Sequence, residues 1–323
     1  MSPPRAVLVT GAGVVGFLTA EMLAARGDPV VLVDVRRPAA PMPDGVAFHP
    51  CDVTDIRALE AVLAANAIGA VVHTAALLST GIRQDPVRGV AVNVMGTTNV
   101  LDCARRNDCG RVVVASSTTV GYTTFARPQG AAVPEDLSMH LVSERPASIY
   151  AATKLCGEHI ALLYADLYGL DVVVLRYAAV LGGSLDTPTS VPGRLLARLV
   201  DGARRGETVT LDDPYLGWGG IEEFVDARDC AHANLHALDA PAPEKRVYNV
   251  ATGTAVTLRA FVDSVRRVHP ALRVALGPEP VTGFAGFPHR RPAASDVTSA
   301  RSELGFTCAH GLEDTIRYWC GTP

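Results

Sequence analysis

Short apolar runs alternate with amphipathic ones through the first half of the chain. Residues 6–10, rich in β-branched side chains, predict a buried strand, and residues 17–26 predict a helix closed by Gly27. The run PVVLVD predicts a second strand ending at Asp34. A short strand near 46–49, a helix over 56–65 and a strand over 70–74 follow. Then come a helix over 89–106, a strand over 111–115, a helix over 150–168 and a strand over 171–177. This alternation predicts an α/β fold, a doubly wound parallel sheet with helices on both faces. Segment 122–148 has no clear period and directly precedes the 150–168 helix, so it reads as a long covering loop. After Arg176 the strict alternation stops. The expected division is a first domain over 1–180 and a smaller C-terminal lobe over 181–323, with segments near 224–250 returning to the first domain. Helices are expected over 193–205, 258–268, 297–304 and 312–320.

The turn after the first strand gives the fold a use. Gly11, Gly13 and Gly16 spell GxGxxG, with Val14 and Val15 between the last two. Glycines there allow a tight turn and close approach of the backbone to a pyrophosphate at the helix N-terminus. Asp34 lies 23 residues after Gly11, where an acid would bind adenosine ribose hydroxyls. The pattern predicts a Rossmann-type dinucleotide site. Asp34 favours NAD over NADP because a carboxylate repels a 2′-phosphate. Arg36 and Arg37, just beyond, are the counter-argument. Asp52 either faces the adenine or serves as a helix N-terminal acid before Asp55. Ligands bind beyond the carboxyl ends of such strands, so His73, Ser116 and Ser117 fall at the right edge.

Composition narrows the partners. The net charge is −4 and no basic run occurs, so nothing suggests nucleic acid or an anionic membrane surface. No apolar stretch reaches membrane-spanning length, and the first strand leaves no room for a signal peptide. Seven cysteines are scattered without CxxC or a Cys/His cluster, which predicts a cytoplasmic protein with free thiols and no metal.

Tyr150 and Lys154 spell YxxxK, and Lys245 is the only other lysine in the 323 residues. Positions i and i+4 share one helix face, so a lysine there sets a positive charge beside the phenol and predicts a lowered tyrosine pKa. Such a tyrosine gives or takes the proton of an alcohol as hydride moves. The plainer alternative is a tyrosine packed over a lysine stem.

Together these motifs resemble the extended short-chain dehydrogenase/reductase superfamily, the NAD-dependent epimerase/dehydratase group, over nearly the whole chain. TGAGVVG is similar to its glycine turn, and CDVTD, with Asp52 and Val53, to its adenine-contacting stretch. HTAA, with Ala75 and Ala76, resembles the segment under the cofactor. VNVMGTTNVL resembles the central helix, with Asn93 at the family's asparagine; a capping or packing amide is the alternative. ASSTTVGY resembles the serine strand and LRYAAVLGG the turn after strand six. YNVATG and RPAASDVTSARSELGF resemble substrate-lobe signatures. The resemblance implies Ser117 as the hydroxyl that orients substrate, with Ser116 and Thr118 one residue away. It implies Tyr150 as acid/base, Lys154 on the nicotinamide ribose, and Thr118 and Arg291 toward the substrate. It also implies a homodimer through the helices near 92–106 and 151–168, which carry apolar residues around much of their circumference.

Four departures matter. The glycine turn is one residue shorter than the common GxxGxxG. Ala179 stands where many nucleotide-sugar members carry Asn. Glu222 and Glu223 stand where the family has Arg-Asp before Phe-Ile/Val, and the loop between Ser117 and Tyr150 is longer than usual. A family contact to a diphosphate is thereby replaced by a carboxylate, while Arg291 matches a family arginine that meets anionic groups. The expectation is an NAD-dependent enzyme moving a hydride at a carbinol carbon of a sugar-like, hydroxy-acid or amino-alcohol substrate. The alternative is a UDP- or dTDP-hexose epimerase with tightly bound NAD. A non-catalytic NAD sensor is disfavoured by the intact Ser117–Tyr150–Lys154 set. Dehydratase chemistry is disfavoured because Thr118 and Thr119 hold the places of its acid pair.

Overall fold

The apolar runs become one parallel sheet. Its strands in chain order are β1 (Ala6–Thr10), β2 (Val30–Asp34), β3 (Val46–Pro50), β4 (Ile68–His73), β5 (Arg111–Ser117) and β6 (Asp171–Tyr177). Six further strands follow: β7 (Ala179–Leu181), β8 (Thr208–Thr210), β9 (Glu222–Asp226), β10 (Val247–Val250), β11 (Ala255–Val256) and β12 (Arg273–Ala275). The computed structural model describes residues 5–127, 130–186, 188–211 and 213–321. The large sheet has the order β10-β6-β5-β4-β1-β2-β3, with every neighbouring pair parallel. Chain direction across the sheet reverses between β1 and β4, where Thr10 and His73 lie in register. A ligand crevice is expected at that switch point.

The strands read as unbroken apolar runs because both faces are covered. Val7, Val9, Val173 and Leu175 point to one core, with Ala20 and Leu23 of helix Val14–Ala25 and Cys230 and Ala233 of helix Ala227–Asp239. Leu8, Val172 and Val174 point to the other, with Leu59, Leu101, Ala161 and Ala165 from helices Ile56–Ala65, Thr97–Arg106 and Ile149–Tyr168. A third core gathers Trp218, Phe224, Phe261 and Leu195 beneath a small sheet of order β11-β9-β7. Strand β9 divides the two regions: Phe224 joins this third core, and its neighbour Val225 joins the first. Strand β10 comes back to the edge of the large sheet, beside β6.

Two expectations about elements change. The helix expected over 89–106 is three pieces: Pro86–Val90, a π-helical turn Ala91–Gly96, and Thr97–Arg106. The hydroxyls of Thr97 and Thr98 donate to the carbonyls of Asn93 and Val94 along this stretch. The loop expected from residue 122 begins later, because a 3₁₀ helix runs Thr118–Ala126. Tyr122 and Phe125 are buried there, and the Tyr122 ring meets Phe287 at 4.8 Å. No helix among the described residues is long and apolar enough to cross a membrane.

Candidate active site

The glycine turn is shaped by close contact on one side and open space on the other. Gly11 has φ +89°, and a Cβ on it would meet the backbone nitrogen of Ala75 at 2.6 Å. A Cβ on Gly16 would meet the Gly11 carbonyl oxygen at 1.9 Å. These two glycines let helix Val14–Ala25 and the end of β4 close on β1. Gly13 differs, with nothing within 4 Å of its Cβ position. It is the N-cap of the helix, and no side chain caps the first turn. The N–H groups that begin at Val14 and Val15 therefore face an open cradle at the positive end of a helix dipole. A dinucleotide pyrophosphate fits this cradle.

Around it, the expected cofactor residues divide. Asp34 ends β2 at the turn and accepts the Ala12 N–H at 2.7 Å and the Arg36 N–H at 3.1 Å. Of the two arginines that argue for a 2′-phosphate, Arg37 lies over the Phe48 ring at 5.5 Å. Asp52 is occupied by its neighbours. It pairs with Arg88 at 2.5 Å and accepts from the Thr54 N–H and hydroxyl. Burial raises its pKa, and the bonds from Arg88 and Thr54 outweigh this, so the carboxyl ends below its ordinary value. Asp55, not Asp52, caps helix Ile56–Ala65. Val53 is buried against Gly96. Ala75 and Ala76 are partly buried beside the turn. Asn93, 3% exposed, accepts the Leu77 N–H at 2.8 Å and donates to the Leu77 carbonyl and the Thr153 hydroxyl. Its amide thus pins the segment after β4 to the YxxxK helix, which is the packing alternative. His73 is likewise internal. Its ring nitrogens meet the hydroxyls of Thr10 at 2.7 Å and Thr97 at 2.9 Å. Burial, and secondly Lys154, lowers its pKa to about 3, so it is neutral at any working pH.

The structure brings Ser117, Tyr150 and Lys154 together at the end of β5. Ser148 caps helix Ile149–Tyr168 by accepting the Ala151 N–H, which fixes where the first turn presents Tyr150. Lys154 Nζ sits 6.0 Å from the Tyr150 ring centroid and donates to the Ala115 carbonyl at 2.8 Å. The Ser117 hydroxyl accepts from the Thr119 hydroxyl at 3.0 Å and lies near enough to the Tyr150 phenol to lower its pKa. One expectation is reversed. Spacing predicts a lowered Tyr150 pKa, but burial of the phenol pushes it up to about 12, and Ser117 only partly opposes this. Burial also lowers Lys154 to about 8, with Glu158 acting the other way. Desolvation is larger than any charge effect on either group.

Two partners of this set do not stand out in the sequence. Thr119 reads there only as a missing acid, yet it holds the Ser117 oxygen. Glu158, 1% exposed, lies one helical turn beyond Lys154 and accepts from Arg176 at 2.7–3.1 Å and from the Ser116 hydroxyl. The i+4 spacing in KLCGE is the available signal.

On the substrate side, Arg291 requires a correction. The resemblance places it toward an anionic group. Instead it is 4% exposed and committed to the protein. Its Nη2 donates to Glu223 at 2.9 Å and Ser295 at 2.7 Å, its Nε to the Ala293 carbonyl at 2.8 Å, and its Nη1 lies 3.4 Å from Glu222. Glu222 also accepts from the Tyr122 hydroxyl, and Glu223 from the Gly253 and Ser295 N–H groups. Glu222 is therefore not a bare carboxylate either; burial raises its pKa and Arg291 opposes the rise. Thr118, expected to meet substrate, is buried and lines a void of about 10 Å³ with Arg176 and Arg291. That is room for one water.

Known proteins of two activities are similar to this chain. The sequence profile of the NAD dependent epimerase/dehydratase family matches residues 7–251. UDP-glucose 4-epimerase 2 of Oryza sativa subsp. japonica is 27% identical over 350 residues, 97% of this chain and 80% of that protein. The mitochondrial L-threonine 3-dehydrogenase of Bos taurus is 26% identical over 329 residues, again 97% and 80%. The solved structure of UDP-glucose 4-epimerase from Thermus thermophilus in complex with NAD is 28% identical and matches with a TM-score of 0.75 over 98% of both chains. With its parallel sheet, its glycine cradle and this family match over three quarters of its length, the chain belongs to the NAD-dependent epimerase/dehydratase family and is an NAD-dependent oxidoreductase or epimerase.

Proposed function

We propose that this enzyme is an oxidoreductase that interconverts a secondary alcohol and a ketone on a small substrate without a nucleotide diphosphate. Sugar-like, hydroxy-acid and amino-alcohol substrates fit that description. The observation that carries the reading is the commitment of Arg291 to Glu222 and Glu223. In this reading Tyr150 moves the proton of the carbinol, Ser117 orients the oxygen, and Lys154 holds the ribose beside them. NAD, when bound, supplies the hydride acceptor. Asp34 takes the ribose hydroxyls. Asp52 and Asn93 act through the segments they pin, and Arg291 and Thr118 shape the wall of the site rather than grip substrate.

The second reading, a nucleotide-sugar epimerase, is favoured by relatives such as the rice protein. Releasing the cofactor by denaturation separates the two. Exchangeable cofactor together with net NADH formation from an alcohol supports the oxidoreductase. Stoichiometric, non-exchangeable NAD with no net redox supports the epimerase.

Asp34→Ala is expected to weaken NAD and narrow the preference for NAD over NADP, because the ribose loses its acceptor and a 2′-phosphate loses its repulsion. Cofactor titrations of both proteins check this. A wild-type preference for NADP would give the role to Arg36 or Arg37 instead.

We also infer a homodimer, held in the cytoplasm with its thiols reduced. Met95 is 54% exposed, Leu163 51%, Leu167 67% and Tyr168 56%, and all lie on the two helices expected to pair. Burying what is still exposed of one such side chain is worth about 1–2 kcal/mol, so several together offset the cost of association. Sedimentation at micromolar concentration should show a dimer, and Leu167→Asp should shift it toward monomer. A wild-type monomer at that concentration overturns the inference.

A further inference from the structure

The last three residues of β5 each meet one residue of the YxxxK helix. The Ala115 carbonyl takes Lys154 Nζ, the Ser116 hydroxyl donates to Glu158, and the Ser117 hydroxyl acts on the Tyr150 phenol. Tyr150, Lys154 and Glu158 stand at i, i+4 and i+8, on one helix face. The first two belong to the site already described. The Glu158 carboxylate is deeply buried and fully bonded. Arg176 reaches it with Nε at 2.9 Å and Nη2 at 2.7 Å, and Arg176 Nη1 donates to the Glu135 carbonyl at 2.6 Å. Ser116 and Arg176 are register partners on β5 and β6, so the sheet itself sets this clamp.

We propose that Glu158 is a positioning residue that keeps Lys154 in its charged form, with Arg176 and Ser116 fixing the carboxylate for that task. A staple between helix and sheet would not need a buried charge, because well-packed apolar side chains hold such a junction as well or better. What apolar side chains cannot do is oppose the desolvation of an ammonium group one turn away. The other groups facing Lys154 give no help. His73 on β4 is neutral, and the Tyr150 phenol is uncharged at working pH. Arg176, from β6, acts through Glu158 and would by itself disfavour the ammonium. Burial already brings Lys154 down to about 8, so loss of the carboxylate moves it further toward the neutral form.

The chain has two lysines, so Lys154 can be watched directly. Protein labelled with ¹³C at lysine Cε gives two resonances, and Lys245→Arg assigns them. In cofactor-free wild-type protein the Lys154 signal should titrate near pH 8. In Glu158→Gln it should titrate lower, and the alkaline limb of kcat/KM should move down with it. Glu158→Asp keeps the charge for Arg176 but draws it back by one methylene, so it should shift in the same direction by less. An unmoved titration in Glu158→Gln, with activity reduced evenly at all pH values, overturns the proposal and leaves a staple. Should Glu158→Gln not fold, an unmoved titration in Glu158→Asp overturns it equally. The proposal rests on Lys154 serving the site, but the resonance needs no turnover, so its failure and that of the oxidoreductase reading are told apart.

Discussion

Tyr150→Phe is expected to lower turnover by roughly 100-fold or more, the usual contribution of a positioned acid/base, while NAD affinity stays nearly unchanged. The substitution removes one oxygen and keeps the ring. In the cofactor-free protein the phenol stands near 12, so Tyr150 is protonated at neutral pH and suited to give a proton to a ketone. Running the reaction from the alcohol requires phenolate character, and the groups that favour it are close. Ser117 lowers the phenol pKa, and Lys154 keeps an ammonium 6.0 Å from the ring. Oxidation should therefore speed up with pH until Lys154 loses its proton, near 8 in the cofactor-free protein. Steady-state kinetics and a cofactor titration on the variant check both halves. A variant that keeps more than about a tenth of the wild-type rate would sink the acid/base assignment, since such a group contributes far more than that.

The sheet was legible because its strands are buried on both faces. Runs such as VVLVD and DVVVLRY leave no other placement in a chain of this length. The glycine turn was legible because only glycine fits where Gly11 and Gly16 stand. Spacing places Tyr150 beside Lys154 correctly but misjudges the phenol's pKa, because burial is not written in a four-residue interval. The remaining differences all come from contacts distant in sequence. The π-helical turn at Asn93 is tied to Leu77 and Thr153, 16 and 60 residues away. The 3₁₀ helix is held by Tyr122 on Phe287. Arg291 finds Glu222 and Glu223 across 69 and 68 positions, so its charge reads as free when it is committed. A sequence shows that a cation exists, but not which anion has already taken it.

That commitment leads to the second expected result, weak or absent binding of UDP, dTDP and their hexose conjugates to the NAD-loaded enzyme. A diphosphate needs donors and positive potential. By the sequence resemblance, Ala179 offers no side-chain donor at a position where many nucleotide-sugar members have an amide. Glu222 stands, by the same resemblance, at the place of a cation, and Arg291 is already bonded to two carboxylates, a serine hydroxyl and a carbonyl. One guanidinium facing two carboxylates leaves no net positive charge to spare, and freeing it would strand both acids in a buried site. Breaking such a pair costs on the order of 3–5 kcal/mol, more than one phosphate contact returns. Each missing donor costs a further ~1–3 kcal/mol, so affinity should fall at least about tenfold and up to about a thousandfold below that of a dedicated nucleotide-sugar site. Calorimetric titration with UDP-glucose, UDP-galactose and UDP-glucuronate measures this directly. Heats too small to fit, or a Kd weaker than about 50 μM, near −6 kcal/mol, are the expected outcome. Tighter binding would mean that Arg291 leaves Glu222 and Glu223 to meet the diphosphate, and the epimerase reading would then replace the oxidoreductase.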